Sequence, residues 1–538
     1  MPTFTNPVVF SDVPDPDVIY DGVQYYMVST TMYFAPNVPI MRSTDLVHWS
    51  IVGYTGAILD DTDALALRNG KSAYGQGSWA ASIKHHDGTY YISVGSLTTE
   101  KTYLYSTPSI ENGPWTRSVL DGYAHDQSLL FDGDDTYLVY GGGAIDLRKL
   151  KRNDDGTFAW DGAATRLVDD ANVDQTSGLN AEGSHAYKIG EYYFVFMIEW
   201  PTNEIRKEVL WRSTSLTPQS QGGTWEGRVV LSQAVTVAGR KGDGAAQGGV
   251  VQAADGQWYA MLFQDEGPLG RSPQLACVTW GDDGWPTYAL DRTMPVPCTT
   301  ASSDPTDIVT SDEFDNRAAP AGYWNTADAG ALAASDENAW NGSSLGLQWQ
   351  WNHNPDNRLW SLSDRPSHLR LTTGSTASGI LDARNTLTQR TYGPTCSGAI
   401  SLDVSHMKDG DVAGLSTYQQ KYGYVAVEAE NGTKRLVMRR ADRKGNVAFT
   451  SATVPLTVET IYLRADADFR DLADSASFAY SLDGAAWTAI GDDLAMEYNL
   501  DHFTGYRFAI FYYAATETGG YVDVDWFRVR DDIGGMRP

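Results

Sequence analysis

The sequence predicts an all-β protein of two domains. A five-bladed β-propeller covers residues 1–300, and after a linker at 301–311 a jelly-roll-like, concanavalin-like β-sandwich covers 312–538. Three observations predict this. Runs of β-branched and aromatic residues alternate with clusters of Gly, Asp, Asn and Pro, with almost no helical periodicity. An aromatic beat recurs five times in the first part of the chain, and the character of the sequence changes after Gly284, Trp285 and Pro286. A chain of 538 residues is also longer than one compact core usually serves.

The beat falls at Tyr25 and Tyr26, Tyr90 and Tyr91, Tyr137, Tyr192 and Tyr193, and Trp258 and Tyr259, spaced 65, 47, 55 and 66 residues apart. Each interval holds one four-stranded blade with its loops, whereas one hairpin per beat would leave too many residues over. Ten or eleven residues before each beat stand Asp15, Trp79, Asp126, Glu182 and Gln247. The innermost strand of every blade lines the central channel, so equivalent positions converge at one end of it. Acidic residues opening strands at exposed turns would give this pattern one residue at a time. Three at the same phase, beside the apolar strands at Val18, Leu129 and Ala186, argue for a shared site.

Thr299 to Asp312 is rich in Ser, Thr, Asp and Pro, as linkers are. Beyond it the strands alternate, as in Tyr424 to Glu430 and Arg435 to Arg439 turning through Asn431 and Gly432, which reads as an antiparallel sandwich. Its tryptophans Trp349, Trp351 and Trp360 suit core packing better than a glycan-binding face.

Composition narrows the partners. Aspartate and glutamate number 68 against 40 lysines and arginines, an acidic field that disfavours nucleic acid and anionic lipid. No stretch reaches the length of a membrane span, and Met1 to Asp12 lacks the pattern of a signal peptide, so the chain reads as cytoplasmic. Cys277, Cys298 and Cys396 have no framework spacing and read as thiols. With 17 Trp and 30 Tyr the protein has material for sugar-stacking surfaces.

Three carboxylates without a cationic cluster suit glycosidic hydrolysis. One acid protonates the leaving oxygen, one carboxylate activates water, and a third charge nearby keeps the acid protonated. Clustered carboxylates also bind calcium, but these come from separate blades and lack the alternating spacing of a loop site, so no metal ligand is assigned. A non-catalytic carbohydrate-binding propeller is the remote alternative, and it would tolerate substitution of all three.

At these residues the chain resembles glycoside hydrolase family 43 over nearly its whole length. Asn6 to Val8 and Pro14 to Ile19 are similar to the family's opening blade, and the resemblance makes Asp15 the general base. His125 to Ser128 resemble the segment of the aspartate that orients the acid and tunes its pKa, here Asp126, with Gln127 where the family usually has proline. Ala181 to His185 resemble the general-acid segment, which makes Glu182 the proton donor of an inverting reaction. Gly270 to Pro273 look like the segment that places an arginine, Arg271, in the pocket floor. Trp79 is expected either to stack on a sugar or to pack in a blade core, and Tyr33 and Phe34 to wall the pocket. Gln247 stands where several members have histidine near a central calcium, so calcium is possible but not indicated, and no cofactor is required. The resemblance implies an exo-acting α-L-arabinofuranosidase on arabinoxylan or its oligosaccharides, including doubly substituted xylose, with β-xylosidase as the alternative. Oligomeric state is not legible.

Overall fold

The computed structural model describes residues 3–174, 177–295, 307–315 and 337–534. The first part is a propeller of five four-stranded antiparallel sheets, each paired in chain order. The innermost strands are Asp17–Tyr20, Ser78–His86, Ser128–Asp132, Gly178–Ile189 and Val250–Gln252. The aromatic beat lies on the second strand of each blade, at Tyr25–Val28, Thr89–Ser96, Asp135–Tyr140, Tyr192–Pro201 and Trp258–Asp265. There the aromatics pack between neighbouring sheets, as Tyr26 does edge-on to Tyr90 at 5.8 Å. The N-terminal strand Thr3–Thr5 pairs with Thr293–Pro295, tying the start of the first blade to the end of the fifth.

One buried carboxylate joins three blades around the channel. Asp17 accepts hydrogen bonds from the Ser82 hydroxyl at 2.7 Å and the Ile83 amide at 2.8 Å in blade 2, and from the Tyr187 hydroxyl at 3.3 Å in blade 4. The Lys84 ammonium stands 3.7 Å from it, over the Tyr187 ring, and His185 Nδ1 is at 3.2 Å. Burial alone would raise its pKa, but these partners outweigh burial and hold the carboxyl well below the usual carboxylate range.

The second part is a sandwich of two large antiparallel sheets, whose facing surfaces bury Leu402, Leu415, Val425, Leu463, Phe508 and Val524. Trp349, Trp351 and Trp360 are at most 3% exposed and lie in this core, which removes them as a glycan-binding face. The two domains share a sheet. The short strand Phe34–Ala35, from the first blade's loop, pairs with Gln350–Asn352 and forms one edge of a sandwich sheet.

The expected linker 301–311 is corrected in part. Residues 301–306 lie outside the described residues, and the remainder is packed rather than free. The Asp307 amide bonds to Trp49 O at 2.9 Å, and Ile308 is buried in the core of the first blade. The two apolar residues Ile308 and Val309, set among polar ones, are the physical reason. Cys277 and Cys396 are free thiols, and Cys298 lies outside the described residues.

Candidate active site

The five positions of common phase do converge in structural role. Asp15, Asp126 and Gln247 each take a left-handed backbone conformation, with φ of 50°, 46° and 53°, shortly before their innermost strands begin. That conformation is strained for residues other than glycine, and here it turns each residue out of the strand direction toward the channel mouth. Trp79 and Glu182 reach the same end differently. Their longer strands carry register shifts, between Trp79 and Ser82 and on both sides of Glu182, and such bulges re-aim a side chain.

Asp15 is buried and held on both oxygens. Thr30 Oγ1 donates to Oδ2 at 2.5 Å, and the Arg271 guanidinium donates to Oδ1 at 2.6 Å. Burial raises its pKa, against the lowering pull of Arg271 and Thr30, and the nearby Asp126 and Asp12 add to the rise. Each carboxylate oxygen keeps a lone pair for a water. Arg271 owes its place to Gly270, whose φ of 100° suits glycine and where a Cβ would fall 2.2 Å from Asp12 Oδ1. Asp12 in turn accepts the Arg271 amide at 2.9 Å and, on its other oxygen, the amide of Gly505 from the sandwich at 2.8 Å.

That last bond seats a sandwich loop over the propeller. The Tyr506 amide bonds to Pro268 O at 2.9 Å, and Phe503, half-buried, lies with its ring centre 4.5 Å from the Arg271 guanidinium and 5.8 Å from Trp79. Phe503 and Trp79 thus meet in one aromatic wall beside Arg271, which suits the apolar face of a pyranose or furanose ring.

Across the channel Asp126 is buried and accepts the Gly183 amide at 3.0 Å. Gly183 has φ of 73°, and a Cβ there would overlap the Gln247 side chain at 2.6 Å. Gln247 is itself fixed by its amide bond to the buried Glu208 at 2.7 Å. Gln247 therefore supports the segment of Glu182 and Gly183 from behind. Burial raises the Asp126 pKa, His125 opposes and Glu182 adds to the rise, and the carboxyl titrates at about 6. Glu182, a quarter exposed, is the most open of the three carboxylates, and its Oε2 lies 2.9 Å from His125 Nε2. Burial disfavours charge on His125, but Asp126, Glu182 and Asp15 outweigh it and push its pKa up to about 9. His125, Asp126 and Glu182 offer ligand atoms within 4.8 Å of one another. Within this group His125 Nε2 is engaged by Glu182 and Asp126 Oδ2 by the Gly183 amide.

The arrangement provides a carboxylate braced to accept a proton from water, a more open carboxyl to give one, and a buried charge beside the second. Trp79 is part-buried, packs against the core between the first two blades and borders the cluster with its ring centre 6.1 Å from that of His125. Tyr33 and Phe34 are corrected. Tyr33 is 1% exposed, enclosed by Tyr74, His353 and His502, and Phe34 lies under Arg507 at 3.6 Å, so both fill the domain junction rather than wall the pocket. The reason is the shared sheet, which draws their loop into the sandwich. Two site residues escaped sequence reasoning. His125 stands next to Asp126 and was open to notice, whereas Phe503 comes from a turn of the second domain that carries no catalytic pattern.

Comparison with known proteins agrees with this two-domain fold. Residues 4–286 match the model of glycosyl hydrolases family 43, and residues 337–530 match the beta xylosidase C-terminal concanavalin A-like domain. The chain is similar to a beta-xylosidase of Formosa agariphila, 27% identical over 98% of this chain and 90% of that one. It is also similar to a non-reducing end alpha-L-arabinofuranosidase of Bacteroides ovatus, 26% identical over 85% of this chain and 82% of that one. Among solved structures, a bifunctional GH43-CE protein of Bacteroides eggerthii superposes with a TM-score of 0.84 at 40% identity, over 98% of this chain, which spans 64% of that protein's length. With a family model covering more than half of its residues, the chain belongs to glycosyl hydrolase family 43 and is a glycoside hydrolase.

Proposed function

We propose that the protein is an inverting, exo-acting α-L-arabinofuranosidase that removes arabinose from arabinoxylan or its oligosaccharides, including arabinose on doubly substituted xylose. Asp15 takes the proton of the attacking water, Glu182 protonates the leaving oxygen, and Asp126 orients Glu182 and tunes its proton affinity. Arg271 binds sugar hydroxyls while bracing Asp15, and Trp79 stacks on the ring. The reading rests on one asymmetry of the rim. The sandwich walls the site beside blades 5 and 2 through Phe503, whereas beside Glu182 the rim is low, with Gly142, Leu179 and Asn180 exposed. A low rim on the acid's side leaves room for a main chain and a neighbouring branch. The name of the Bacteroides ovatus relative agrees with it.

A second reading, β-xylosidase, is favoured by the capping of the pocket by Phe503 and by the name of the Formosa agariphila relative. Product analysis separates them. Incubation with arabinoxylan oligosaccharides and with linear xylo-oligosaccharides should release free arabinose from the first alone. Free xylose from the second would make the protein a β-xylosidase with the same carboxylate roles.

A further inference from the structure

His125 has a relationship to the acid that the three carboxylate roles leave unused. Its Nε2 lies 2.9 Å from Glu182 Oε2 and 3.7 Å from Asp126 Oδ2, and its Nδ1 meets the Tyr123 hydroxyl at 2.8 Å. The ring is fixed by Trp79 on blade 2 and by Gly142 on blade 3, where a Cβ would stand 3.3 Å from its Cδ2. The titratable groups that face it are Tyr123 and Asp126 from its own segment, Glu182 from blade 4 and Asp15 from blade 1. The side chains of His125 and Glu182 are each 25% exposed, so the pair still touches water while the site is empty.

We propose that His125 stores the proton of the general acid and passes it to Glu182 when a sugar fills the pocket. This makes it a positioning residue that acts through Glu182, and it rests on Glu182 being the acid. In the empty site the imidazolium form of His125 is favoured by Asp126, Glu182 and Asp15 around it, and water still reaches the pair at the rim. A sugar seated against the wall that Trp79 and Phe503 form together removes that water, and separated charges in a dry site cost more than a neutral pair. The Nε2–H bond then breaks and an Oε2–H bond forms, so that imidazolium and carboxylate become imidazole and carboxylic acid with no change in net charge. Nδ1–H donates to the Tyr123 oxygen in both states, which holds the ring still while the proton moves. The new carboxylic acid gives its proton to the glycosidic oxygen as the C–O bond breaks, and Asp15 takes one from the attacking water. After product leaves, one solvent proton restores His125 and Asp15 returns one.

The test is His125→Gln, which keeps an N–H donor toward Glu182 but cannot carry the extra proton, with Tm as a check of folding. We expect kcat on an arabinoxylan oligosaccharide, a poor leaving group, to fall on the order of 10²-fold, while a 4-nitrophenyl glycoside loses less than about threefold. The alkaline limb of kcat/KM on the oligosaccharide should move to lower pH, because the cluster loses its most basic proton-holding group. Added imidazole should restore rate to His125→Gly. A merely structural histidine would slow both substrates alike and leave the alkaline limb in place, and either result overturns the proposal. If the unaltered protein releases no pentose from either substrate, the hydrolase reading of the site falls instead.

Discussion

The ring of Phe503, carried by the sandwich, lies 4.5 Å from the guanidinium of Arg271 in the fifth blade, and that guanidinium donates a 2.6 Å hydrogen bond to Asp15. The second domain is thus two contacts away from Asp15, the proposed general base. Phe503→Ala removes a stacking surface and a cation–π partner, and kcat/KM should fall about tenfold, close to ~1.4 kcal/mol, chiefly through KM. Because Phe503 is only half-buried, Tm should hardly move. An unchanged KM would show that the sandwich is a bystander.

Arg271→Gln tests the brace on the base. The proposed role of Asp15 requires a carboxylate; burial raises its pKa, and Arg271 is the largest of the influences that lower it. Without the cation the pKa rises further, so the acid limb of the pH–rate profile should move to higher pH, with a lower plateau. A lower plateau with an unmoved acid limb would mean that Arg271 only binds sugar.

Asp126→Asn should inactivate the enzyme and stabilise it. The folded carboxyl titrates at about 6, above its unfolded value of 3.8, so above pH 6 the fold carries a charge that burial disfavours. That penalty disappears as pH falls from 6 toward 4. Asparagine can still accept the Gly183 amide, so Tm should rise by an amount corresponding to about 1 kcal/mol at pH 8 and coincide with the unaltered protein at pH 4. Equal Tm at both pH values would contradict the assignment of a raised pKa.

The Asp17 hub has the opposite sign. Its folded pKa is depressed below the unfolded 3.8, so its contacts stabilise the propeller at every pH above about 4, and that contribution is withdrawn as pH falls below it. Lys84→Met removes the buried cation from this carboxylate and should cost about 2–3 kcal/mol near neutrality. The difference between variant and parent should narrow in acid, and thermal melts at pH 7 and pH 3 measure it.

Much of this architecture is legible in the sequence because propeller repeats write their phase into the chain. The aromatic beat marks the second strand of each blade, and the positions ten residues earlier face the channel, so Asp15, Asp126 and Glu182 group together from spacing alone. Tyr33 and Phe34 were misplaced because their loop has a partner, Gln350–Asn352, that lies more than 300 residues along the chain, and local pattern carries no record of such pairing. Phe503 was invisible for a related reason. Its position depends on Asp12 bridging Arg271 and Gly505, a contact across 493 residues. Ile308 and Val309 show the smaller error of trusting composition, since two apolar residues in a polar stretch dock it on the first blade.

The central claim is that Asp15 and Glu182 carry out glycosidic hydrolysis as base and acid. Steady-state rates of Asp15→Asn and Glu182→Gln on an arabinoxylan oligosaccharide and on a 4-nitrophenyl glycoside test it most directly. Asp15→Asn should be inactive on both substrates, whereas Glu182→Gln should lose the oligosaccharide and keep turning over the aryl glycoside, whose leaving group needs no proton. Near-normal rates on the oligosaccharide in either variant would contradict the account.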